Sequence, residues 1–152
     1  MRTRLITLVT VVGTALLPAS ALARDPALIG VEQLVISAET PPSDLQRFGL
    51  TRELLEAAVK EGLGTRVGTA DTTRDQLNLR LDANLVMYNF YSWGVRLEVE
   101  RALAIDGQPG AYTRRVVWSN GRSGGTLLPQ DARRLATVAR ELAEELRGEL
   151  AR

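Results

Sequence analysis

The sequence contains no cysteine and no histidine. The first absence removes disulfides, thiolate metal sites, cysteine nucleophiles and the residue on which a bacterial lipoprotein carries its lipid. The second removes the commonest general base and metal ligand, and with them a Ser-His-Asp triad. Lysine is nearly absent: Lys60 stands alone, and arginine supplies the other basic residues. No apolar run reaches the roughly 20 residues of a membrane span. An enzyme of this composition would work with carboxylates, hydroxyls, tyrosine or Lys60, and nothing in the chain points to a cofactor or a metal.

The N-terminus reads as an export signal. Arg2 and Arg4 form a short basic segment, and Leu5 to Leu17 is an apolar run of about 13 residues. Pro18 breaks it, and Ala21 and Ala23 supply the small residues that signal peptidase needs. This pattern predicts a Sec-type signal peptide over residues 1–23, cleaved after Ala23, and a mature protein in the periplasm or outside the cell. Thr3 separates the two arginines, so the signal is not of the twin-arginine type. An uncleaved N-terminal anchor is the alternative, against which stand the short run and the cleavage site. Cleavage would leave 129 residues with 17 basic and 18 acidic side chains. That near-neutral balance gives no electrostatic case for nucleic acid. No stable membrane anchor is expected after cleavage.

Residues 24–30 read as a flexible leader and 31–152 as a single domain. Val31–Glu39 is a strand candidate, ended by Pro41 and Pro42. Thr51 is a good N-cap for a helix from Arg52 to about Glu61, with Leu50 and Leu55 at staple spacing. A short strand is expected at Thr65–Val67, followed by a polar loop at Thr69–Asp75. Leu77, Leu79, Leu81, Ala83, Leu85 and Met87 then alternate with mostly polar residues, the period of a half-buried strand. A connection through Asn89–Ser92 leads to a strand with Val95, Leu97 and Val99 inward. Arg101 interrupts that pattern, which predicts a bulge or the end of pairing there. Asp106 and Gly107 open a hairpin turn, Ala111–Ser119 is the last strand, and Ser119–Gly125 reads as a glycine-rich loop. Pro129 suits the first turn of a final helix, whose Leu135, Val138, Ala139, Leu142, Leu146 and Leu150 form one stripe. The order predicts an α+β two-layer sandwich: a mostly antiparallel meander of four to five strands, with two helices on one face.

Three groups of residues bear on function. Glu98 and Glu100 project from one strand face about 7 Å apart, and a carboxylate pair is what glycoside hydrolysis requires. Catalytic pairs face each other across a substrate, whereas these point the same way, as on a solvated face beside Arg96. Arg122, Gly124 and Gly125 lie in a segment whose glycines can form a backbone nest for an anion. It lacks the P-loop lysine and spacing, and a plain strand-to-helix connection is the simpler reading. Tyr88, Phe90, Tyr91 and Trp93 are four of the seven aromatics of the chain. Exposed, they would stack on sugars or anchor a protein; buried, they would plug the end of the core. By parity Tyr88 and Phe90 continue the face of Val86, and Tyr91 and Trp93 the other.

The element order, with Gly49-Leu50 before the first helix, Trp118 late in the meander and a helix from Pro129, resembles a poorly characterised set of small exported bacterial proteins. The layout is also similar to that of the lipopolysaccharide-assembly lipoproteins, which plug an outer-membrane translocon, although the cysteine that carries their lipid is missing here. The reading that follows is a non-catalytic periplasmic or envelope-associated accessory protein that binds an envelope protein or glycan. The alternative is a carboxylate-based hydrolase acting on cell-wall glycan.

Overall fold

The computed structural model describes residues 25–69 and 75–152. The expected signal peptide, residues 1–23, lies outside them, as does most of the polar stretch between Thr69 and Asp75. Four strands form one sheet: β1 (Val35–Ala38), β2 (Gln76–Met87), β3 (Phe90–Ala104) and β4 (Tyr112–Leu127), in spatial order β1-β2-β3-β4. β1 runs parallel to β2, and the other two pairings are antiparallel. Among the described residues three α-helices accompany them: α1 (Ser43–Gln46), α2 (Arg52–Leu63) and α3 (Arg134–Leu150). The architecture is the expected α+β one, with α2 and α3 on one face of a mostly antiparallel sheet.

Each helix follows from its sequence. The Thr51 hydroxyl accepts a hydrogen bond from the Leu54 amide at 3.2 Å and so starts α2. Gly64, at positive φ, ends it. Leu55, Val59 and Leu63 form its buried side, and Leu135, Leu142 and Leu146 that of α3. The two helices meet at Gly62, where a Cβ would lie 2.5 Å from the Arg140 carbonyl oxygen and 2.7 Å from the Ala143 Cβ. Only a residue without a side chain lets the backbones come this close. Beneath the helices lie Leu77 and Leu79 of β2, Val95, Leu97 and Val99 of β3, and Trp118 of β4. Among the described residues this core buries no polar or charged residue.

Several elements differ from expectation. Within the expected leader 24–30, the described residues 25–30 hold a 3₁₀ turn at Pro26–Leu28, capped by Asp25, and Leu28 is fully buried. The segment expected to be a flexible leader is thus fastened by one apolar side chain. The first strand is shorter than 31–39. The strand expected at Thr65–Val67 shrinks to a single bridge, Leu34 to Val67, because the Gly64 turn leads into a 3₁₀ turn through Arg66.

The connection expected at Asn89–Ser92 is instead a two-residue turn, Tyr88-Asn89, and β3 starts at Phe90. The aromatic residues that follow favour the ladder. Pairing does not end at Arg101: β3 continues to Ala104, with Arg101 held by the Ile29 carbonyl at 2.8 Å. A register shift lies just before it, between Val99 and Glu100, where Val117 of β4 has no partner.

The glycine-rich segment Ser119–Gly125 is not a loop. It is the second half of β4, and Gly121 and Gly124 pair with Arg96 and Trp93. These glycines relieve crowding rather than make a turn. A Cβ at Gly124 would meet the Trp93 ring at 2.8 Å, and one at Gly121 the Val95 carbonyl oxygen at 3.0 Å.

Candidate functional site

The structure divides the four candidate aromatics. Tyr91 and Trp93 fall on the face that carries the helices. Tyr91 is buried, and its hydroxyl donates to the Asp44 carboxylate of α1 at 3.0 Å. Burial first, and then this hydrogen bond, push its phenol above the ordinary range. Trp93 is partly buried and packs flat over Gly124. Tyr88 and Phe90 are outside: Tyr88, at the turn, is 84% exposed, and Phe90 is 42% exposed. Parity was legible in the sequence. The bulge lies at Val86, between the pairs Leu85–Tyr91 and Met87–Phe90, and leaves Phe90 on the outer face.

Among the described residues no helix lies over that outer face. Along β3 it presents Phe90, Ser92, Gly94 and Arg96 at alternate positions. Register sets Asn84 and Asp82 of β2 opposite Ser92 and Gly94, with Arg80 opposite Arg96. On the other side Ser123 and Gly121 of β4 stand opposite Gly94 and Arg96. The result is a shallow trough of about 300 Å³, lined by Asp82, Gly94, Val95, Arg96, Gly121, Arg122 and Ser123. A second hollow of about 450 Å³ shares Asp82, Gly94 and Ser123 and reaches Asn84 and Ser92.

Gly94 makes the trough, and the fold does not demand it. A Cβ there would sit 3.7 Å from the nearest Asp82 atoms and 3.9 Å from Ser123, which is ordinary contact. A glycine inside a strand weakens it and often marks a close approach by something else. Among the described residues the side chains of Asp82, Asn84 and Ser123 have no protein partner, so their hydrogen-bonding capacity faces solvent.

Beyond the trough lies an ion-pair cluster. Arg80 bonds Glu39 at 2.8 Å and Glu98 at 3.3 Å, and Glu100 stands 4.0 Å away. Burial pushes the Glu39 carboxyl up, but its hydrogen bonds from Arg80 and from the Leu81 amide outweigh that and hold it below the ordinary carboxylate value. Arg80 thus occupies the space between Glu98 and Glu100. The two acids project side by side and cannot flank a glycosidic bond. Among the described residues no three acidic side chains gather closely enough to hold a metal ion.

The anion-loop candidates are also explained. Arg122 is bonded to Glu141 and Glu145 of α3. Its own carboxylate partners therefore satisfy it, and the extended backbone around it is engaged in the ladder. Gly124 makes room for Trp93, and Gly125 lies in open space.

Asp82 and Asn84 lie on the polar parity of β2 that the sequence sets beside Tyr88 and Phe90, whereas Gly94 and Ser123 escape the sequence because it reads β3 and β4 each too short. With Phe90–Ala104 taken as one strand, Gly94 falls on the polar parity between Ser92 and Arg96, and that is the signal.

No family model matches the chain, and no curated protein is significantly similar to it. Two solved structures are weakly similar in fold. One, from Caulobacter crescentus CB15, is provisionally described as a lipoprotein. It shares 14% identity and a TM-score of 0.37, over 82% of this chain and 92% of its own. The other is a minor lipoprotein from Acinetobacter baumannii, with 15% identity and a TM-score of 0.32 over 80% of this chain and 91% of its own. No helix among the described residues is long and apolar enough to cross a membrane.

Proposed function

We propose that this protein is a non-catalytic accessory module of the cell envelope that binds a glycan chain along the outer face of its sheet. The observation that carries the reading is the trough at Gly94, kept open by a glycine that the packing does not require. Its lining suits a saccharide. Asp82, Asn84 and Ser123 offer a carboxylate, an amide and a hydroxyl without protein partners, the groups that bind sugar hydroxyls. Arg96, 59% exposed at its side chain, closes one end with five possible donors. Phe90, four residues away on the same strand face, offers a ring at the other. Export, as expected from the first 23 residues, would bring this face to the polymers of the envelope.

The test is binding to an array of envelope glycans, with hits measured by calorimetry. Gly94→Val should fill the trough and Asp82→Ala remove its carboxylate. Both should lower affinity at least tenfold while leaving the thermal midpoint nearly unchanged. Absence of any binder, or equal binding by both variants, would defeat the reading.

A further inference from the structure

A second surface adjoins the trough and shares Phe90 with it, but its Leu85, Val86, Met87 and Tyr88 take no part in the glycan reading. Leu85, Val86, Met87, Tyr88 and Phe90 are all exposed at the end of the β2–β3 hairpin. From Ala83 to Trp93 the sequence has no charged residue. We infer that this hairpin tip is a membrane-contacting element that inserts into the interfacial region of a phospholipid bilayer.

The distribution of the apolar side chains favours lipid over a protein groove. Leu85 pairs with Tyr91 and Met87 with Phe90, so the bulge at Val86 sends neighbouring apolar residues to opposite faces of the hairpin. The tip is therefore apolar all round. A protein groove covers one side of such an element, whereas a bilayer surrounds it. The dimensions agree. Ala83 to Met87 spans about 13 Å at strand rise, and interfacial elements sink roughly 5–10 Å into the boundary between headgroups and acyl chains. Behind the tip, Asp82, Asn84, Ser92 and Arg96 form a polar collar suited to the headgroups.

Tyr88 adds an independent observation. It has φ 49°, the only positive value among the described residues other than glycine. A hairpin turn normally gives that conformation to Gly or Asn, and a bulky residue there is strained. Among the described residues nothing rewards the strain, because the ring is 84% exposed. An amphipathic ring at headgroup level would. The opposite end of the sheet supplies a contrast. Leu103, Ile105, Tyr112 and Val116 are also exposed there, but Asp106, Arg114 and Arg115 are interspersed with them. That composition belongs to ordinary surface.

The experiment is flotation with phosphatidylcholine vesicles, using the chain lacking residues 1–23 so that the apolar N-terminal run takes no part. This protein should float, and should do so equally at low and high salt, because the tip is uncharged. The variant Leu85→Ser/Met87→Ser/Tyr88→Ser should lose at least about tenfold in partitioning. Leu103→Ser/Ile105→Ser should float like the parent. Tyr88→Gly keeps the test usable if the triple variant misfolds: it should match or exceed the parent in thermal midpoint, because glycine accepts the turn, and still bind vesicles more weakly. Gly94→Val should float unchanged, which separates this result from the glycan reading. The inference is overturned if the parent stays at the bottom of the gradient, if Tyr88→Gly or a folded triple variant floats as the parent does, or if the Leu103/Ile105 variant alone is lost.

Discussion

Strand β2 begins in the core and ends in solvent. Leu79 is 1% exposed and Leu85, six residues on, is 58% exposed. Both occupy the same parity of one alternating run, and the sequence around the exposed Leu85 is the more apolar of the two. What separates them is coverage. α2 and α3 lie over the first half of the strand and stop short of the second. Alternation therefore tells which face a side chain takes, and the reach of the opposing layer tells whether it is buried.

The largest effects should fall under the helices. Replacing Leu79 or Leu142 by Ala removes a fully packed side chain and should cost about 2–5 kcal/mol in denaturant unfolding. Leu85→Ala should stay within about 0.5 kcal/mol of the parent. Comparable losses at Leu79 and Leu85 would show that something covers the hairpin after all. Next comes Gly62→Ala, which sets a methyl group against backbone atoms of α3. Overpacking of this kind costs about 1–3 kcal/mol, and an unchanged unfolding midpoint would mean that the two helices part more easily than their contact implies.

How much of this was readable beforehand follows from the same distinction. The capped helix from Thr51, the stripe from Leu135 to Leu150 and the alternation from Leu77 are local patterns, and all three appear where the periodicity set them, except that the bulge at Val86 pairs Met87 with Phe90 on the face opposite Leu77. The second half of β4 was misread because Gly121 and Gly124 look like loop residues until their neighbours are known: the backbone of β3 and the ring of Trp93. Local sequence records that a side chain is missing, and only the partner strand records why. The trough was invisible for that reason, since its lining comes from three strands joined by register. The aromatic group was found as a group, yet half of it serves the core. Parity separated Phe90 from Tyr91, while the burial of Tyr91 depended on Asp44, a contact 47 residues away in the chain.

The smallest effect concerns the outer face under acid. Because Glu39 has its carboxyl value lowered in the folded protein, it stabilises the fold at pH values above the ordinary carboxylate range. That contribution is lost as pH falls through the lowered value. Arg80 and Glu39 are both more than a third exposed, so the contribution should stay below about 1 kcal/mol. Arg80→Met should flatten this part of the pH–stability curve between about pH 5 and pH 2. A curve with the same slope as the parent would assign the acid sensitivity to other carboxylates.

The contrast between the covered and the bare end of the sheet is tested most directly by labelling. The chain has no cysteine, so Tyr88→Cys and Leu103→Cys each give one attachment point for a polarity-sensitive dye, again in the chain lacking residues 1–23. On addition of phosphatidylcholine vesicles the dye at position 88 should shift to the blue and gain intensity, while the dye at position 103 should not change. An unchanged spectrum at position 88, or equal shifts at both positions, would contradict the assignment of the hairpin as the working end of the molecule.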